Sequence, residues 1–469
     1  MTLLSPAEQV WKPCDLRGTF PDWVSPALFR DIGSAIGTML TRDARVVVSG
    51  DYRLSTNELK AALTDGLAQT GMTVLDAGQG PTPLAYFTAK HLKADAVLIV
   101  TASHNPPAHN GLKLMLGSAP TTPEQLQEIR RLTQMRAFRW GTGSVEKIDL
   151  RSLYMKAMLK RWRGLQGSGR RRVVIDAGNG TWSELAPVIF TDLGFEAMCL
   201  SCTVDGRFPD RSPDCARAGN LLRLSAAVRE RPGAIGIAWD GDGDRAAFVD
   251  ENGTYVPPDE IAILIARSAL SAIETETSAN RKVVVDVKFS DSVRRAVIEA
   301  CGDPLLERTG HAFMRGRMVK EDALLGLDAC GHYFFRELHG GDDGLFSSLF
   351  LLDQVQRSGG QLCALRRALP KTFTTPELRI PISLVSFNQA KDALHKTFPE
   401  ASAVEVDGLR LTIPDGLVLV RESGTEAVVS LRFEGFYKEG FDRIQERILS
   451  ALPSTTEWLR QELELPAAV

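Results

Sequence analysis

The segment V-V-V-S-G-D, Val46–Asp51, decides the fold because two later segments repeat its form: V-V-I-D-A-G, Val173–Gly178, and V-V-V-D-V-K, Val283–Lys288. Each is a short β-branched run stopped by a turn residue, which reads as a strand. Each precedes a helical pattern with cap-type residues at its start and apolar positions three or four apart. These patterns are S-T-N-E-L-K-A-A-L-T-D-G-L from Ser55, W-S-E-L-A-P-V-I-F-T-D-L from Trp182 and D-S-V-R-R-A-V-I-E-A from Asp291. Each unit then adds two further apolar runs, and the last run ends in an unusual loop. The loops are T-A-S-H-N-P after A-V-L-I-V, D-G-D-G-D-R after G-I-A-W, and L-D-A-C-G-H after A-L-L-G.

Strand and helix in alternation predict α/β units whose ligand loops gather at the carboxyl ends of mainly parallel strands. The fold class expected is therefore α/β, with three similar mixed-sheet domains over residues 1–150, 151–254 and 255–368, their three loops facing one central cleft. From Leu369 the pattern changes to a helix-like F-N-Q-A-K-D-A-L-H-K, short strands broken at Asp407-Gly408 and Asp415-Gly416, and a helix from about Glu439. That predicts a smaller α+β domain over 369–469.

Composition excludes several classes. A 469-residue chain with 44% hydrophobic and 24% charged residues is globular rather than disordered. Its formal net charge of −3 offers no basic excess for nucleic acid or an anionic membrane, so small molecules are the expected partners. The amino terminus lacks a basic stretch followed by a long apolar run, and no apolar run is long enough to span a bilayer, so a cytoplasmic location is expected. The seven scattered cysteines do not form a disulfide framework, and the C-x-x-C of Cys199 and Cys202 reads as core packing.

The densest charge lies in I-A-W-D-G-D-G-D-R-A-A-F-V-D, Ile237–Asp250. Three carboxylates at alternate positions repel one another unless a cation sits among them or a pKa rises. Gly241 and Gly243 let the backbone curl so that Asp240, Asp242 and Asp244 converge, and hard oxygen ligands suit Mg²⁺, Ca²⁺ or Mn²⁺. An EF-hand is excluded: Glu251 falls at position 12, but Arg245 stands where the loop needs glycine, and Ala246–Val249 reads as a strand. Read alone, the segment is also compatible with a solvated acidic turn.

Two further loops carry chemistry. T-A-S-H-N-P-P, Thr101–Pro107, sets Ser103 and His104 in a turn that Pro106 keeps from becoming a regular helix. It lacks the G-x-S-x-G of a serine esterase, and read alone it is also compatible with a purely structural turn. R-E-S-G-T-E from Arg421 offers a guanidinium, two hydroxyls and a glycine, the makings of a phosphate cradle from Arg421, Ser423, Gly424 and Thr425, though read alone it is equally compatible with a surface turn.

Taken together, K-P-C-D-L-R-G near the start, T-A-S-H-N-P with N-G-L-K after it, D-G-D-G-D-R, the G-H loop, and R-E-S-G-T-E followed by L-R-F-E-G resemble the α-D-phosphohexomutase family, in its phosphomannomutase/phosphoglucomutase branch. The resemblance runs essentially end to end. It implies four domains around a central cleft and reversible phosphoryl transfer between positions 1 and 6 of a hexose phosphate, through a hexose 1,6-bisphosphate. It makes Ser103 the phosphoserine that, with Asp240, Asp242 and Asp244, holds Mg²⁺. Arg245 would stay near that phosphate, His104 would orient its neighbours, and Arg17 and Lys113 match positions tied to acid/base work. Lysine, whose pKa burial can lower, is the easier proton carrier. Lys288, His311 and Arg315 match ligand-facing positions, and Asp328, Cys330 and His332 the sugar loop. There Asp328 and Cys330 replace a usual glutamate and serine, which weakens hydroxyl contacts. Cys14 and Ala427 are two further departures. The resemblance leaves a monomer or homodimer open, and two alternatives: a phosphoglucosamine mutase, and a sugar-phosphate-binding protein that has lost turnover.

Overall fold

The computed structural model describes residues 9–117, 119–166, 171–273, 280–422 and 427–464. The chain forms two compact units. The first runs through Pro258 and adds Met318–Asp322 and Cys330–Leu365, and the second holds Asp259–Arg317, Ala323–Ala329 and the chain from Arg366 on.

In the first unit, one sheet contains β1 (Leu16–Thr19), β2 (Arg45–Gly50), β3 (Thr73–Gln79), β4 (Ala96–Val100), β5 (His109–Leu116), the two-residue β6 (Ala119–Pro120) and β7 (Ser144–Lys147). Their order is β1-β5-β4-β2-β3-β7, with β6 beside β5. β2 runs parallel to β3 and β4, whereas β5 is antiparallel to both β4 and β1. The period-2 alternation of side chains explains why these strands are apolar throughout. Val46, Val48, Leu98 and Val100 face a core shared with Phe29 and Leu63 of the helices Pro26–Met39 and Thr56–Ala68. Val47, Val97, Ile99 and Met115 face a second core with Ala85 of the helix Thr82–Leu92.

The second sheet of this unit repeats the plan. β8 (Arg171–Asp176), β9 (Phe195–Leu200), β10 (Ile235–Trp239), β11 (Ala246–Val249) and β12 (Tyr255–Val256) lie in the order β12-β11-β10-β8-β9. β8 is parallel to β9 and β10, and β11 returns antiparallel to β10, as β5 does to β4. The edge position of β9 corrects the reading of its cysteines. Cys199 is exposed on this edge strand, which has a neighbour on one side only, and Cys202, two residues past its end, is half-buried.

In the second unit, β13 (Lys282–Asp286) lies parallel to β14 (Asp303–Glu307) and β15 (Leu325–Leu327), the third copy of the plan. The chain leaves β15 through Asp328 and Ala329, and from Cys330 it belongs to the first unit, where Tyr333–Phe335 pairs antiparallel with Gly341–Asp342. The C-terminal part of the second unit is an antiparallel sheet of Leu409–Ile413, Gly416–Glu422 and Val428–Gly435 with shorter strands at its edges. The helices Phe387–Thr397 and Lys438–Ala451 send Leu394, Ile444 and Ile448 into a core with Val418, Val420 and Leu431. Buried Arg410 fastens this sheet to the exit of β13, donating to the carbonyls of Val287 and Phe289, each at 2.7 Å, and to Asp291 Oδ1 at 3.2 Å.

Candidate active site

The exit of β4 is held from beneath by a buried ion pair. Asp51, just past β2, accepts from Arg53 Nε at 3.0 Å, Thr56 Oγ1 at 2.7 Å and Thr101 Oγ1 at 2.7 Å. Arg53 turns its remaining donors to the backbone of the serine loop: Ser103 O at 2.8 Å, Asn105 O and Pro106 O at 2.6 Å each, and His109 O at 3.0 Å. The Ser103 N–H donates to Thr101 Oγ1 at 2.8 Å. So fixed, Ser103 adopts φ 51°, a left-handed conformation that costs a non-glycine residue about 1–3 kcal/mol and persists only where surroundings over-determine it. Sequence reading missed Arg53. Its signal was a charged D-Y-R placed directly after an apolar strand.

The held serine meets the acidic loop of the next sheet. Ser103 Oγ donates to Asp240 Oδ2 at 2.8 Å and lies 3.2 Å from His104 Nδ1. Asp240, Asp242 and Asp244 are all buried, and each offers an oxygen within 4.8 Å of the others, which excludes the solvated acidic turn. The glycines between them serve the approach. A Cβ at Gly241 would stand 2.6 Å from Ser103 O, and Gly243 has φ +81° with Trp182 Nε1 only 2.4 Å from where its Cβ would be.

Backbone hydrogen bonds keep the loop curled with its carboxylates inward. Gly241 O accepts from Thr181 N at 3.2 Å, Asp242 O from Thr82 N at 2.9 Å, and Gly243 O from Trp182 Nε1 at 2.7 Å. Thr82 Oγ1 adds a bond to Asp242 Oδ2 at 2.7 Å. None of these partners was singled out from the sequence, because each comes from a segment remote along the chain.

Lys113 lies on β5 between Leu112 and Leu114, which face a core, so alternation sends its side chain to the opposite face of the sheet. There Nζ donates to Asp242 Oδ2 at 2.6 Å and to Asp244 Oδ2. Burial alone would lower its pKa, but Asp242 and Asp244 outweigh burial and hold the ammonium well above its usual range. The carboxylates thus reverse the direction in which burial alone would move it. Burial, then Asp242 and Asp244, push Asp240 up to about 8. His104 is held well below the usual imidazole range by burial, then by Arg245 and Arg17, so it is neutral.

These residues fit a divalent cation. The donors are hard carboxylate oxygens, and Asp242 Oδ1 is buried with no hydrogen-bond partner among the described residues, while Oδ2 serves Lys113 and Thr82. Arg17 pairs with Asp15 at 2.8 Å and reaches Asn105 Oδ1 at 3.4 Å. Arg245 Nε donates to His332 Nε2 at 3.1 Å and lies 3.9 Å from Asp240 Oδ2. His332 Nε2 lies 3.4 Å from Asp244 Oδ1, and Gly331 O accepts from Ala246 N at 3.1 Å, so the far end of the sugar loop is bound to the acidic loop. Cys330, in the same unit, is half-buried.

The remaining predicted residues lie in the second unit. Asp328 is buried beside Asp286, whose carboxyl burial and Asp328 together push up to about 6. Asp286 accepts from the N–H groups of Lys288 at 2.9 Å and Ala329 at 3.2 Å. His311 opens the helix His311–Glu321, with Arg315 buried one turn later. Arg421 donates to Asp407 Oδ2 at 2.5 Å, while Ser423, Gly424 and Thr425 lie outside the described residues.

The family model for phosphoglucomutase/phosphomannomutase matches in four parts. Its α/β/α domains I, II and III match residues 9–140, 152–253 and 257–373, and its C-terminal domain matches 385–451. A phosphomannomutase/phosphoglucomutase of Pseudomonas aeruginosa is 33% identical over 444 residues, covering 93% of this chain and 94% of that one. A phosphoglucomutase of Neisseria gonorrhoeae is 32% identical over 466 residues, covering 96% of this chain and 98% of that one. The crystal structure of a phosphoglucomutase/phosphomannomutase family protein from Burkholderia thailandensis superposes with TM-score 0.85 at 34% identity, covering 96% of this chain and 98% of that one.

Proposed function

Because the chain belongs to the phosphoglucomutase/phosphomannomutase family, we propose that it moves a phosphoryl group between positions 1 and 6 of a hexose phosphate, mannose or glucose, with Ser103 as the carrier. The observation that carries this reading is Ser103 Oγ at 2.8 Å from Asp240, joining loops 137 positions apart. In the first half-reaction the bond between Ser103 Oγ and phosphorus breaks as the free sugar hydroxyl bonds phosphorus, and the hydroxyl's proton ends on Ser103 Oγ. The resulting hexose 1,6-bisphosphate turns over, and in the second half its other phosphoryl group returns to Ser103. Neutral His104, 3.2 Å from Ser103 Oγ, orients the serine hydroxyl at that step, and the serine proton ends on the sugar oxygen that leaves phosphorus.

Asp240, Asp242 and Asp244 would hold Mg²⁺, which supplies charge that offsets the carboxylates and draws electron density from the phosphoryl oxygens. Arg245 and Arg17 bring fixed positive charge to the same oxygens. Arg421 and its loop would hold the phosphate that is not reacting, and the sugar loop with Lys288 and His311 would hold the hydroxyls. The test is a coupled assay on mannose, glucose and glucosamine 1-phosphates with a hexose 1,6-bisphosphate activator, together with peptide mass spectra. Expected are turnover on mannose or glucose phosphate and one phosphate on Ser103. Fully active protein with no phosphate on Ser103, and none added by bisphosphate, rules the mechanism out.

A further inference from the structure

The acidic loop begins where β10 ends, and the carbonyl at that point, Trp239 O, is held by a residue the mechanism above does not use. Arg211, from the segment F-P-D-R-S-P after β9, has a side chain only 5% exposed. Its Nη2 donates to Trp239 O at 2.7 Å and to Asp176 O at 3.1 Å, its Nε to Asp176 Oδ2 at 2.9 Å, and its Nη1 to Ser212 O at 2.9 Å. Asp176 is the last residue of β8, so one guanidinium spans the carboxyl ends of two neighbouring parallel strands. The fit is close: a Cβ at Gly178 would stand 2.6 Å from Arg211 Cζ, and the Gly178 N–H donates to Asp176 Oδ1 at 2.8 Å.

We propose that Arg211 is a positioning residue for the cation-binding loop, fixing the direction in which Asp240 leaves β10 towards Ser103. The peptide that follows Trp239 O carries Asp240, so a tilt of that carbonyl moves the carboxylate that meets Ser103. Only a planar fork with several donors can serve Trp239 O, Asp176 O and Asp176 Oδ2 at once; a lysine ammonium on a single stem cannot. Groups that orient metal ligands typically control affinity by about 10- to 100-fold. The inference rests on the acidic loop holding a divalent cation, which is part of the function proposed above.

The test is Mn²⁺ binding, read by electron paramagnetic resonance of the free ion, on the full chain and on three variants. Arg211→Lys keeps a charge beside Asp176 but loses the span, and its dissociation constant should rise at least tenfold, with turnover recovered at saturating Mn²⁺. Arg211→Met with Asp176→Asn removes the pair without leaving a bare buried carboxylate. It should show the same rise and decides the matter if the lysine variant does not fold. Asp176→Asn alone keeps Arg211 on Trp239 O and should stay within about threefold of the unaltered chain, since the direct bond to the loop remains. Folded arginine variants with unchanged Mn²⁺ affinity overturn this proposal alone. An unaltered chain that binds no Mn²⁺ overturns it together with the cation site.

Discussion

Replacing Lys113 with methionine should make the cation site bind more tightly while making the cation-free protein less stable. Lys113 is buried, and its ammonium bonds Asp242 at 2.6 Å and also Asp244, so it offsets charge that a divalent ion would otherwise meet in full. Two unit charges about 4 Å apart interact by about 4 kcal/mol at an effective dielectric of 20, and deleting one partner of a buried pair costs about 3–5 kcal/mol. Part of that cost is relieved in the cation-free variant, because Asp240, already pushed up to about 8 by burial and its two neighbours, takes a proton more readily. Leaving about 1.4–2.8 kcal/mol to favour the ion, Mn²⁺ or Mg²⁺ should bind ten- to a hundredfold more tightly. Calorimetric titration of Mg²⁺ into Lys113→Met and Lys113→Arg measures this directly. The arginine variant, which keeps the charge, should remain near the original affinity. Equal or weaker binding by the methionine variant would refute the reasoning, since Lys113 would then organise the carboxylates more than it neutralises them.

Arg53→Met strips four carbonyls of the serine loop and Asp51 of their shared donor. Phosphorylation of Ser103 by bisphosphate, followed by intact mass, should slow at least tenfold, about 1.4 kcal/mol, with Mg²⁺ affinity little changed; an unchanged rate would show that the loop holds its φ without Arg53. Asp343 caps the helix Gly344–Arg357 through Phe346 N at 2.9 Å, accepts from Tyr154 Oη at 2.6 Å, and burial holds its carboxyl up at about 7 against an ordinary 3.8. The folded chain thus keeps a proton that the unfolded chain has lost, so this group's contribution to stability is greatest below about pH 4 and declines as pH rises to about 7. Asp343→Asn should flatten the dependence of the thermal midpoint on pH across that window, and an unaltered slope would remove Asp343 as its source.

The sequence by itself determined the repeat, its strands and the chemistry at their ends. Val46–Asp51, Val173–Gly178 and Val283–Lys288 gave β2, β8 and β13, and each predicted loop follows the strand expected of it. These features are local: β-branched runs, caps and turn residues act through neighbours a few positions away, so spacing alone reveals them. The three aspartates were legible as one centre for the same reason, because glycine alternation is itself a statement about backbone geometry. Tertiary structure alone decided how that centre is supported and charged. Thr82, Trp182, Arg53 and Arg211 reach the serine and acidic loops from distant segments, and only Arg53, in a charged D-Y-R after an apolar strand, has a local pattern to mark it. Burial of Cys199 failed to follow from its apolar neighbours because strand order, which placed β9 at an edge, is set by pairing between remote strands. The pKa of Lys113 turned on the same non-local facts. An apolar strand pattern foretells desolvation and a lowered value, whereas two carboxylates brought in from the next sheet reverse the sign, because at contact distance their attraction exceeds the cost of burial.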